Sequence, residues 1–81
     1  MDTYKIDIED IYIPVKRKRD IDPDKVDEIA ESMMEDGQKV PIMVRDDGKR
    51  LVLVEGLQRL EAARALGEET IQALKVSARQ R

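Results

Sequence analysis

The stretch DPDKVDEIAESMMEDG, residues 22–37, carries a full set of helix signals and constrains the fold more than any other part of the chain. Asp22 supplies an N-cap oxygen, Pro23 suits the first helical position, and Asp24 puts negative charge where the helix dipole favours it. Val26, Ile29, Ala30, Met33 and Met34 recur at i, i+3, i+4, i+7 and i+8, which makes one continuous apolar stripe. Gly37 suits the position just past a helix end. These signals predict a helix over 23–36. An amphipathic helix must lay its stripe on something, and the flanking segments supply a sheet.

Tyr4, Ile6 and Ile8 alternate with Lys5, Asp7 and Glu9, the period of a strand with one buried face. Ile11, Tyr12, Ile13 and Val15 remain apolar but Pro14 interrupts them, which fits a loop or an edge strand. Val40, Pro41, Ile42, Met43 and Val44 read as a strand. Asp46-Asp47-Gly48 reads as a turn, and Leu51, Val52, Leu53 and Val54 as a strand buried on both faces. Together they predict a hairpin. Gly56 opens a second helix, Gly67 ends it, and residues 70–76 read as a last strand. Residues 77–81 are polar and read as a frayed tail. The order is β-α-β-β-α-β: an α+β domain with two main helices on a small mixed sheet. At 81 residues, with no repeat and no low-complexity linker, residues 1–81 are read as a single domain.

Composition removes several chemistries. There is no cysteine and no histidine, so thiolate catalysis, disulfides, the commonest metal ligands and the usual general base near neutral pH are all absent. Tyr4 and Tyr12 are the only aromatic residues, so the core is built from Ile, Val, Leu, Met and Ala. A net charge of -3 does not suit a protein that coats nucleic acid, although a local basic patch remains open. No apolar run approaches the ~18 residues a membrane span needs. The opening MDTYKIDIED has no apolar core of a signal peptide, so the expectation is a cytoplasmic protein with no membrane contact.

The unusual residue is Arg59, in VEGLQRLEAARALG. It falls in the first turn of the second helix, where the dipole disfavours a cation by ~0.3–1 kcal/mol. On a helical wheel it lies on the face of Ala62, Ala63 and Leu66, the face expected to turn inward. A guanidinium there needs an anion. A structural carboxylate, Glu55 or an Asp of the first helix, is one answer. A ligand phosphate on the free N–H groups of the helix start is the other. Gly56, lacking a Cβ, would let that ligand approach the backbone. There are two further cationic features: Lys25 near the start of the first helix, otherwise a surface lysine paired with Asp22 or Glu28, and the basic loop Lys16, Arg17, Lys18 and Arg19, otherwise a solvated turn. They form one anion pocket if the two helix starts converge.

From Ile6 to about Val76 the chain resembles the fold shared by the ParB N-terminal domain and sulfiredoxin. The resemblance rests on IDIEDIYIP, on DPDKVDEIAESMMEDGQKVPIMVR and on LVLVEGLQRLEAARALGEETIQALKV, in that order. The family motif reads G-E-R-R in ParB and G-C-H-R in sulfiredoxin; here it is Gly56-Leu57-Gln58-Arg59. In both families this turn contacts nucleotide phosphates, of CTP in ParB and of ATP with magnesium in sulfiredoxin. The resemblance therefore implies ATP or CTP as ligand, with or without magnesium, held at residues 56–59. It also implies roles for Lys25, which matches the sulfiredoxin D-P-x-K lysine, for Ser32, which matches a small hydroxyl residue, and for the basic loop. Ser32 is equally an ordinary helix-face serine.

The departures limit what is implied. Leu57 replaces the reactive cysteine, so sulfinic acid reduction by the sulfiredoxin route is excluded. Gln58 replaces the histidine and can hydrogen-bond phosphate but cannot act as acid or base. ParB partition proteins add a helix-turn-helix domain and a dimerisation domain, and these residues hold neither, so partition-site reading is not expected of them. The expected function is a nucleotide-binding module of regulatory or accessory type. Two alternatives stay open. One is a nucleotide-using enzyme (weak NTPase, kinase or ParB-like nuclease), with metal held through phosphate oxygens and Glu55 or Glu61. The other is an accessory protein that meets a protein partner or, through its basic loop, the DNA backbone without reading sequence. A monomer and a homodimer that protects a sheet edge are both compatible with the sequence.

Overall fold

The computed structural model describes residues 3–76. Five strands form one mixed sheet in the order β1-β5-β3-β4-β2: β1 (Thr3–Asp7), β2 (Ile11–Tyr12), β3 (Ile42–Asp46), β4 (Leu51–Glu55) and β5 (Thr70–Val76). Three helices accompany them: α1 (Val15–Lys18), α2 (Pro23–Asp36) and α3 (Leu57–Ala65). β1 runs antiparallel to β5, β5 parallel to β3, β3 antiparallel to β4, and β4 parallel to β2. The α+β class and the order of the main elements are as the patterns predict. The five-residue interval 77–81, expected as a tail, lies outside the described residues.

α2 matches its local signals. The Asp22 carboxylate accepts the Asp24 N–H at 3.1 Å, Pro23 is first in the helix, and Gly37 leaves it at φ 76° with its N–H on Met33 O. The hairpin also forms as expected. Asp46 accepts the Gly48 N–H at 2.8 Å, and Asp47 accepts those of Lys49 and Arg50, both at 2.9 Å. Val52 and Leu53, adjacent in β4, are both buried, so that strand is covered on both faces.

Three expectations need correction. The basic residues do not form a plain loop, because Val15–Lys18 coil into the short helix α1. Of the loop and the edge strand expected around Ile11–Tyr12, the edge strand is what forms, pairing in parallel with β4. β1 stops at Asp7, and a 3-10 turn over Ile8–Asp10 follows, so Ile6 and Ile8 are buried but Tyr4 is 45% exposed beneath the Lys75 ammonium. The α2 stripe is narrower than the periodicity predicts. Val26, Ile29, Ala30 and Met33 are half-buried while Met34 is 72% exposed, because α2 packs at the rim against α3 and buries no residue fully.

The strand expected over 40–44 begins only at Ile42. Pro41 has no N–H to give the ladder. Its place beside β5 is taken by a side chain: Gln38 Oε1 accepts the Gln72 N–H at 2.8 Å and Gln38 Nε2 donates to Gln72 O at 3.0 Å. The core lies between the sheet and α3 and is aliphatic, with Ile42, Val44, Leu53 and Leu60 its largest fully buried side chains. Among the described residues no helix is long and apolar enough to cross a membrane.

Candidate functional site

The turn between β4 and α3 is built around Gly56, which takes φ 109° and ψ 29°, a region that side-chain-bearing residues avoid. A Cβ at Gly56 would stand 2.6 Å from Ile42 Cγ2. The space that glycine keeps free is filled by Ile42 of β3, a packing reason for this glycine that the sequence did not show. Leu57 follows, and its side chain joins the core. Among the described residues no side chain caps α3. The N–H groups of its first turn are left without that partner.

The two helix starts do converge. Gln58 Oε1 accepts the backbone N–H of Asp22, the α2 N-cap, at 2.9 Å, and Gln58 Nε2 donates to Asp20 O at 2.7 Å. From the other side Arg17 Nη1 donates to Val54 O at 3.0 Å, which ties α1 to the end of β4. Between these elements lies a cleft of about 540 Å³. Arg17, Lys25 and Arg59 line it against two carboxylates, Asp20 and Glu55, so its wall carries one excess positive charge. Beside Leu57, the apolar part of the lining is Ile29, Val40, Pro41 and Met43.

Arg59 is half-buried. Among the described residues it forms no ion pair and no side-chain hydrogen bond, so neither Glu55 nor an Asp of α2 satisfies it. The carboxylates near enough to cations elsewhere are spent locally: Glu61 Oε2 sits 3.6 Å from Arg64 Nε, outside the cleft. Glu61 is thus no candidate metal ligand, whereas Glu55 lines the cleft. Among the described residues no cluster of acidic side chains is arranged to hold a metal on its own.

The structure sorts the expected site residues. Gly56, Leu57, Gln58, Arg59, Lys25 and Arg17 line the cleft. Lys16, Lys18 and Arg19 are exposed and do not, since the turn of α1 aims only Arg17 back at β4. Ser32 is half-buried on α2 and lies outside the lining. Gln58 lines the cleft, but the two ends of its amide are engaged by the loop before α2. Sequence reasoning missed Asp20 and the apolar wall. Ile29 was within reach, one turn after Lys25 on the same helix face; Val40, Pro41 and Met43 follow only from the sheet order.

Comparison with known proteins agrees with this architecture. The family model described as the ParB N-terminal domain matches residues 2–81. A chromosome-partitioning protein ParB of Campylobacter jejuni is 35% identical over 60 residues, which is 74% of this chain but 22% of that protein. The crystal structure of sulfiredoxin from Arabidopsis thaliana superposes with a TM-score of 0.87 at 29% identity, covering 96% of this chain and 88% of that one. The C-terminally truncated ParB from Caulobacter crescentus, complexed with CTP-gamma-S, gives a TM-score of 0.81 at 20% identity, covering 99% of this chain and 47% of that one. This chain therefore spans less than half the length of both of these ParB proteins.

Proposed function

This chain belongs to the ParB N-terminal domain family, and from that premise we propose that it is a nucleotide-binding module of regulatory or accessory type. It cradles the phosphates of ATP or CTP at residues 56–59. The observation that carries this reading is Arg59: a half-buried guanidinium in the first turn of α3, beside a helix start without a side-chain cap, with no anion among the described residues to meet it. Dipole and desolvation both oppose a cation there, and a phosphate relieves both. Lys25 and Arg17 add charge to the same cleft. The aliphatic surface of Ile29, Val40, Pro41 and Met43 offers a base or ribose a dry wall, which favours a whole nucleotide over free phosphate. A relative of the same fold was crystallised with CTP-gamma-S, which supports the class of ligand.

The test is a thermal titration with ATP, CTP and GTP, with and without magnesium. A ligand at 100 times its dissociation constant stabilises by ~2.7 kcal/mol. No rise in melting temperature with any of them rejects the reading. Glu55, a carboxylate on the cleft wall, favours nucleotide use as a second reading, with the metal held between phosphate oxygens and that side chain. Phosphate release that depends on magnesium and is lost in Glu55→Gln distinguishes enzyme from module.

A further inference from the structure

Gln58 stands at the second position of α3, beside Arg59 and on the cleft wall. Its amide faces two backbone groups, an N–H at Asp22 and a carbonyl at Asp20. Only a neutral group with one acceptor and one donor, correctly spaced, satisfies both. A carboxylate has no hydrogen for Asp20 O, and a guanidinium has no lone pair for the Asp22 N–H. Asp22 is 36 residues from Gln58 in the chain, and it is the cap of α2. One side chain thus pins the start of one helix to the start of the other. Among the described residues no other hydrogen bond joins α3 to the loop between α1 and α2.

This matters because the cations of the cleft are divided. Arg59 rides on α3 and Lys25 on α2, three residues past the cap that Gln58 holds. A shift of α2 along α3 would separate them. We propose that Gln58 is a positioning residue rather than a phosphate ligand: it sets the two helix starts so that Lys25 and Arg59 close on the same phosphate group. The inference rests on the nucleotide reading above. It assigns the residue beside Arg59 to geometry and leaves anion contact to the cations and the free N–H groups.

A double-mutant cycle on the affinity for ATP and CTP tests it, using Lys25→Ala, Gln58→Met and the pair in the intact chain. Gln58→Met is expected to weaken binding about tenfold. Lys25→Ala is expected to cost about fivefold alone and less than about twofold once Gln58 is gone, because Lys25 no longer faces the anion. A residue that touches phosphate itself, or that only stabilises the fold, predicts losses that multiply. Multiplying losses, or full affinity in Gln58→Met, overturn the proposal. Gln58→Asn keeps the amide but is one methylene too short to reach both partners, and is expected to behave as Gln58→Met. It carries the cycle if the Met variant does not fold, and wild-type affinity in Gln58→Asn overturns the proposal as well. If the unchanged chain binds no nucleotide, the nucleotide reading fails and this one falls with it. If it binds and the losses multiply, only the positioning role fails.

Discussion

A Cβ on Gly56 would come within 2.6 Å of Ile42 Cγ2 and 3.2 Å of Ile42 Cα, on a strand whose side chain is fully buried. The backbone of the turn between β4 and α3 is therefore pressed against the central strand of the sheet. Gly56→Ala adds both a steric clash and a side chain at φ 109°. We expect a loss of about 2–5 kcal/mol without any ligand present. Urea denaturation measures it. A loss under ~1 kcal/mol would mean that the turn yields, and that the glycine is kept for the ligand after all.

The basic residues before α2 are not equivalent. Arg17 donates to Val54 O and lines the cleft, while Lys16, Lys18 and Arg19 project from α1. Changing those three together to Gln is expected to leave nucleotide affinity within about twofold, since exposed charges outside the cleft are screened. Arg17→Ala removes a charge-assisted bond and should lower stability by ~1–2 kcal/mol and weaken binding. Equal effects of all four on affinity would contradict the assignment.

Gln38 completes the sheet where Pro41 cannot. Gln38→Ala strips the Gln72 N–H and carbonyl of their side-chain partner in a half-buried position. A cost of about 1–3 kcal/mol is expected, with little change in ligand affinity. Denaturation of the variant checks the first part and a nucleotide titration the second.

These residues show where sequence reading succeeds and where it stops. α2 was legible because its signals are local: Asp22, Pro23 and Gly37 act on the backbone within a turn of themselves. The hairpin was legible for the same reason. The parallel pairing of β2 with β4, the choice of Arg17 among four basic neighbours, and the Gln38 patch over Pro41 depend on segments far apart in the chain. Arg59 was legible as an anomaly, because a cation at a helix start conflicts with electrostatics wherever the rest of the chain lies. That it lacks a partner among the described residues was not legible, since any of several carboxylates had the right chemistry. Gln58 read as a phosphate donor because its residue type permits that role; only the fold brings Asp20 and Asp22 to it.

Acid should loosen the hairpin first through Asp47. The N–H groups of Lys49 and then Arg50 hold its carboxyl below the ordinary carboxylate range. A depressed native value means a stabilising contribution that is present above the unfolded value, about 3.9, and is lost as pH falls through the lower native one. Asp47→Asn keeps an acceptor oxygen but does not titrate. The stability difference between the two proteins should therefore shrink as pH drops below about 4. A difference that stays constant from pH 7 to pH 2 would contradict this account.

The most direct measurement is the stability of Arg59→Met with and without nucleotide. If Arg59 is kept for a ligand anion, its removal relieves the helix dipole, so the unliganded protein should be unchanged or more stable by ~0.3–1 kcal/mol. The rise in melting temperature that ATP or CTP gives the unchanged chain should then be lost. The opposite pair of results contradicts the central claim: an unliganded variant destabilised by more than ~1 kcal/mol, with its nucleotide response intact.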